Sequence, residues 1–126
     1  MRNFDELITI ASELVHRIDL GNGSDAGTVA AALESRSGRV YTGMCVDLKC
    51  GIGACAEHSA VAEMLKHREQ EIAQIVAVNA EGVLVPCGRC RELMLQVSPS
   101  NTTARVLVGE SESMLLKDLL PCHWLE

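Results

Sequence analysis

The chain has 126 residues, 48% of them apolar, and a formal net charge of −6; that is the size of one domain with a single core, and too short to divide comfortably into two. No apolar stretch is long enough to cross a bilayer, and Met1 to Glu6 lack the apolar segment of a signal peptide, so a cytoplasmic protein with no membrane partner is expected. The acidic balance and the single Phe, Tyr and Trp argue against nucleic acid, whose binders concentrate Lys and Arg and stack bases on aromatics; a small neutral or cationic molecule fits better.

Leu7, Ile8, Ala11, Leu14, Val15 and Ile18 recur at three- and four-residue intervals and predict a helix over Asp5 to Ile18. Turn formers from Gly21 to Asp25 break it. The small-residue run Thr28 to Leu33 reads as a buried strand, and after the turn Ser35 to Gly38 the alternation from Val40 to Asp47 gives its antiparallel hairpin partner. A loop over Cys50 to Ala54 leads to a helix from Cys55 to about His67, then a β-branched central strand within Glu71 to Ala80. A short helix from Cys87 to Gln96, a strand over Thr103 to Val108 and a last helix over Met114 to Leu120 complete the order. Strands alternating with helices after an initial hairpin predict a single α/β domain over residues 1–126, a three-layer α-β-α sandwich around one mixed sheet.

Six cysteines in a chain with its own apolar core point to metal or catalytic use before disulfides. Cys87 and Cys90 lie three apart on a predicted first helical turn, so both sulfurs can reach one ion, and Pro86 suits a helix start because it has no N–H to leave unpaired. Helix N-termini also stabilise the thiolates a metal requires. With Cys55 the obvious ligands number three, and no fourth of matching spacing stands out, which is the count of a catalytic zinc site and not of a closed structural one. Glu57, two residues after Cys55, is placed to move protons between water and substrate. Arg89 or Arg91 would offset the charge of the thiolates. A structural zinc site completed by Cys50 or a histidine, and plain buried thiols, are the bland alternatives.

Cys55-Ala56-Glu57 followed by Pro86-Cys87-Gly88-Arg89-Cys90-Arg91 resembles the cytidine deaminase superfamily, particularly the small homotetrameric cytidine deaminases and blasticidin S deaminase. The likeness extends over Val29 to Leu33, the Gly38 to Gly43 hairpin and the closing Leu119-Leu120-Pro121. It implies a cytidine deaminase-like fold with a five-stranded mixed sheet, Zn²⁺ on Cys55, Cys87 and Cys90, Glu57 as the catalytic acid and base, and a homotetramer. It further implies hydrolytic removal of the 4-amino group of an aminopyrimidine nucleoside, with the ring held near Ala54, Ala56 and Cys87. Where these enzymes bind ribose with Asn and Glu, this chain has Cys45 and Asp47; Cys45 reads equally as core thiol or pocket wall, and Asp47 as substrate ligand or strand-end acid. His58 stands where Arg is common; its place after Glu57 points it elsewhere on the helix, with support of the metal ligands from just outside them as the lesser reading. Trp124 resembles the Trp-bearing end of blasticidin S deaminase, where it would cap a pocket of its own or a neighbouring subunit. A blasticidin S-type or other modified aminopyrimidine is the alternative substrate, and a non-catalytic zinc-stabilised binding protein the alternative from another class.

Overall fold

The computed structural model describes residues 1–125. Helix α1 covers Phe4–Ser12 and is started by Asn3, whose side-chain oxygen accepts the Glu6 N–H at 2.9 Å. The expected continuation to Ile18 does not form. The His16 N–H goes instead to the Gly27 carbonyl at 2.9 Å, which draws the chain into the sheet, and Ile18–Gly21 becomes strand β1. Asn22 and Gly23, at φ of 53° and 80°, then turn it back onto β2 (Ser24–Ser35), as the Asn-Gly pair does in tight hairpins.

Strand β2 is longer than the predicted run and lies at the centre of the sheet. On one side it pairs antiparallel with β3 (Val40–Asp47), with Leu33 opposite Tyr41, as the alternation predicts. On the other it pairs antiparallel with β5 (Ile72–Asn79), with Ala31 opposite Ala77. Strand β4 (Gly53–Ala54) edges β3, and β6 (Gly82–Leu84) folds back on β5. Strand β7 (Arg105–Leu107) runs parallel to β5 and carries β8 (Ser113–Leu115) antiparallel beside it. Among the described residues the sheet therefore has eight strands, along the path β4-β3-β2-β5-β7-β8 with β1 on β2 and β6 on β5, where the resemblance implies five. The four that the sequence reading did not place, β1, β4, β6 and β8, are pieces of two to four residues, too short to show alternation in sequence.

The mixed α/β class holds. Successive residues of a strand face opposite sides, so Ala32, Val76 and Val78 meet Leu7 and Ala11 of α1, while Ala31, Leu33, Ile75 and Ala77 meet the other face's helices. These are α2 (Ala56–Lys66), α3 (Gly88–Val97) and α4 (Leu116–Leu119). The last is one turn, shorter than predicted, because Met114 lies in β8 and the Leu116 N–H is taken by the Ala104 carbonyl at 2.9 Å.

Gly43 sets how closely α2 lies on β3. A Cβ there would stand 2.5 Å from the Ala60 nitrogen and 2.7 Å from the Ala56 carbonyl oxygen, so helix backbone rests directly on the strand. Ser59 adds a hydrogen bond from its hydroxyl to the Met44 carbonyl, 3.1 Å. The first turn of α2 is thereby held against the sheet.

Candidate active site

Cys55 and Cys87 occupy equivalent places, each the residue that caps its helix, with extended backbone at φ −71°, ψ 156° and φ −69°, ψ 169°. Neither side chain caps its helix, so both sulfurs are free for other bonds. Cys90 sits buried in the first turn of α3. The Cys87 and Cys90 sulfurs are 3.5 Å apart and those of Cys55 and Cys87 are 3.8 Å apart. Thiolates about 2.3 Å from a tetrahedral zinc stand about 3.8 Å from one another, so the chain presents the sulfurs at metal-binding separation.

Electrostatics point the same way. Burial pushes the Cys90 thiol well above the ordinary range, with the Glu57 carboxylate adding to it, and burial also raises Cys55. At Cys87 burial works upward too, but the backbone N–H and thiol of Cys90 outweigh it and the thiol falls. Thiols so crowded ionise together only with a cation among them, and the donor set fits zinc. The Arg89 guanidinium reaches to 4.0 Å from the Cys55 sulfur. Arg91 is engaged elsewhere, donating to the Pro86 carbonyl at 2.8 Å and the Leu119 carbonyl at 3.0 Å, and so fastens the Pro86 loop to α4.

Beside the sulfurs opens a cavity of about 350 Å³. Glu57, 5% exposed, lines it, and burial raises its carboxyl above the usual range against the lowering effect of its own N–H and the Cys90 thiol. A carboxyl whose proton affinity is raised in this way is suited to accept and return a proton. Val29, Ala77 and Leu84 give apolar walls, and Ile52 and Val85 stand exposed at the margin. None of the five was singled out from the sequence as a pocket residue, although Val29 opens a stretch that carries the family likeness; their role comes from strand neighbours distant in the chain.

Of the residues singled out from sequence, Cys45, Asp47, Ala54, Cys55, Ala56, Glu57, Cys87 and Cys90 all line this cavity. Trp124 does not: it is 85% exposed and outside the lining of its own chain's cavity. The Cys45 thiol is buried and already engaged, accepting the Val29 N–H at 3.3 Å, standing 3.3 Å from the Thr28 hydroxyl and donating to Asp47 Oδ2 at 3.4 Å. It is thus both wall and holder of Asp47. His58 corrects the sequence reading: it points inward, with a ring nitrogen within 4.8 Å of the sulfurs of both Cys55 and Cys90. Because Cys55 caps α2, His58 falls at the third helical position, as Cys90 does after Cys87. Cys50 and Cys122 are exposed thiols outside the cavity lining.

Comparison with known proteins agrees with this geometry. The family model described as the cytidine and deoxycytidylate deaminase zinc-binding region matches residues 1–108. The chain is 28% identical to the cytidine deaminase of Halalkalibacterium halodurans over 97 residues, 74% of each protein. It is 24% identical to the blasticidin-S deaminase of Bacillus cereus over 129 aligned positions, 94% of this chain and 90% of that one. The crystal structure of cytidine deaminase from Mycobacterium tuberculosis superposes with a TM-score of 0.82 at 25% identity, covering 98% of both chains. That from Burkholderia pseudomallei gives 0.79 at 25% identity, covering 98% of this chain and all (100%) of the other.

Proposed function

The chain belongs to the cytidine and deoxycytidylate deaminase family and is a zinc-dependent hydrolytic aminohydrolase, and we propose that it removes the 4-amino group of a cytosine-type nucleoside, cytidine, deoxycytidine or a close analogue. The observation that carries this is a buried Glu57 carboxyl on the same cavity as three sulfurs at metal-binding separation. Cys55, Cys87 and Cys90 hold the Zn²⁺, which when bound makes water nucleophilic near neutral pH.

Glu57 takes a proton from the attacking water and passes it to ring N3 as the new C4–O bond forms. It then carries the second water proton to the amine, the C4–N bond breaks, ammonia leaves and the 4-keto ring remains. Its raised proton affinity suits both halves of that shuttle. Ala54 and Ala56 border the pyrimidine, Val29, Ala77 and Leu84 sandwich its faces, and Arg89 offsets the charge of the thiolates.

Asp47 is the group that reads the sugar or its replacement. Since the Cys45 thiol is spent on Val29, Thr28 and Asp47, one carboxylate does the work, and this favours the second reading, a blasticidin S-type or other modified aminopyrimidine. The acidic chain, with no described helix long and apolar enough to cross a membrane, is assigned to the cytoplasm and to free small molecules over polynucleotides or membranes. Residues 1–126 act as one domain. Exposed Trp124, Leu125 and Ile52 support assembly into a homotetramer in which Trp124 caps a neighbour's cavity.

Ammonia release from cytidine, deoxycytidine, cytosine and blasticidin S by zinc-loaded protein, with Glu57→Gln alongside, tests the reading. Turnover that falls about 10²–10⁴-fold in the variant while zinc per chain is unchanged is expected. Equal turnover in both proteins, or none by zinc-loaded wild type on any of the four, overturns it.

A further inference from the structure

One atom near the three sulfurs is left without a partner. Nε2 of His58 is shut off from solvent and makes no hydrogen bond among the described residues. Buried polar atoms are ordinarily paired, and an exception points to a group or ion that completes the site. Two sulfurs stand close, since a ring nitrogen of His58 lies within 4.8 Å of those of Cys55 and Cys90. His58 is third after Cys55 at the start of α2, and Cys90 lies in the first turn of α3, so the ring sits where the two helix starts meet.

The ring approaches from the far side. Cys55, Glu57, Cys87 and Cys90 line the cavity and His58 does not; it lines a separate groove with Gly88, Arg89 and Glu92. A catalytic metal keeps one position open, here toward Glu57 and the cavity, so a group on the groove side can bond to a sulfur without competing for that position. The sulfurs differ in what already serves them. Backbone N–H groups of Cys90 and Arg89 favour the Cys87 thiolate, and the Arg89 guanidinium reaches to 4.0 Å from the Cys55 sulfur. Cys90 is fully buried, and among the described residues its sulfur meets the Cys87 thiol but takes no hydrogen bond from an N–H. A metal-bound thiolate accepts a charge-assisted hydrogen bond from such a donor, which orients the ligand and draws charge from it.

We propose that His58 is a positioning residue for the zinc site, its Nε2 carrying the ring proton and donating it from the groove side to the thiolate of Cys90. The proposal rests on the reading that Cys55, Cys87 and Cys90 bind zinc, and it leaves the metal with three protein donors and a position open on the cavity. The bond ties the start of α2 to the start of α3 through a ligand of each helix's shared ion. By drawing charge off one thiolate it keeps the metal a stronger Lewis acid.

Wild-type protein carrying ¹¹³Cd in place of zinc and labelled with ¹⁵N-histidine tests this without any variant. Coupling between cadmium and the His58 Nε2 proton, passed through the hydrogen bond to sulfur, is expected, with no one-bond coupling of cadmium to either ring nitrogen. Absence of the proton coupling overturns the proposal, and so does one-bond coupling, which would make the ring a ligand. A crystal structure of the zinc-loaded chain should pair Nε2 with the Cys90 sulfur; pairing with Cys55 overturns the assignment. His58→Ala is expected to bind zinc about 10–100-fold more weakly, and His58→Gln, which keeps an N–H donor, to recover most of that loss. Equal affinity in wild type and His58→Ala, or a His58→Gln protein as weak as His58→Ala, overturns the proposal. Ammonia release is measured on the zinc-loaded wild type, so turnover without the His58 coupling sinks only this assignment, whereas the coupling without turnover on any substrate sinks the deaminase reading.

Discussion

Gly43→Ala tests whether the zinc-bearing start of α2 is positioned by its direct contact with β3. The added Cβ would lie 2.5 Å from the Ala60 nitrogen, 2.5 Å from Ser59 Cβ and 2.7 Å from the Ala56 carbonyl oxygen, against ordinary contacts of about 3.5–4.0 Å. Relief requires about 1 Å of displacement, and since two of the three atoms are helix backbone, α2 itself must move. Overpacking costs about 1–3 kcal/mol, and the backbone contacts place this case in the upper half. For a chain of this size that lowers Tm by about 10 °C. The same displacement carries Cys55 and Glu57 with it, and a misplacement of about 1 Å at a reacting centre costs about 10²-fold in rate. Thermal unfolding by circular dichroism, zinc per chain and ammonia release on the wild-type substrate read all three effects. Gly88→Ala is the steric control for the unfolding measurement, because a Cβ there meets nothing within 4 Å; its Tm should not fall. A Gly43→Ala protein that melts within about 2 °C of wild type and turns over normally refutes the packing argument.

Asn101 is fully buried and accepts the Ile72 N–H at 2.8 Å while donating to the Gln70 carbonyl at 3.0 Å and the Met94 carbonyl at 2.8 Å; Asn101→Ala strands two buried backbone groups, the Ile72 N–H and the Met94 carbonyl, and should lower unfolding free energy by about 2 kcal/mol or more in urea titration. Arg91→Ala releases Pro86 from Leu119 and should speed loss of zinc to a chelator with little change in the far-ultraviolet spectrum, because the clasp orders the metal loop and not the sheet. Glu69 is held down to about 2 by hydrogen bonds from Ser37 first and then Tyr41. Its folded value lies below the unfolded one, so the contribution is present above the ordinary carboxyl range and is lost as pH falls from about 5 toward 2. The Tm gap between wild type and Glu69→Gln should therefore be widest near neutrality and close over that window; a gap independent of pH contradicts the assignment.

The candidate metal donors and proton carrier were legible in the sequence because they are set by local spacing, whereas deamination was implied by the family resemblance. Two cysteines three apart at a helix start, and a carboxylate two residues after another cysteine, are fixed relative to one another by helix geometry whatever surrounds them. The β2–β3 hairpin was legible for the same reason, since alternation and the turn at Gly38 are local. The tertiary structure decided what depends on distant pairings. The end of α1 was set by the bond from His16 to Gly27 across the β1–β2 hairpin, and the apolar walls Val29, Ala77 and Leu84 came together only through the crossing of β2, β5 and β6. Arg89 and Arg91, indistinguishable as candidate cations in the sequence, separate because the Leu119 carbonyl captures one of them. Cys45 and Asp47 share a strand face by spacing, but the Thr28 and Val29 contacts that fix the thiol beside the carboxylate come from β2, and it is the meeting of α2 with α3 that brings His58 near the Cys90 sulfur. Periodicity fixes which side of an element a residue occupies; which elements meet there is settled by burial of the whole core, and that is a property of the folded chain.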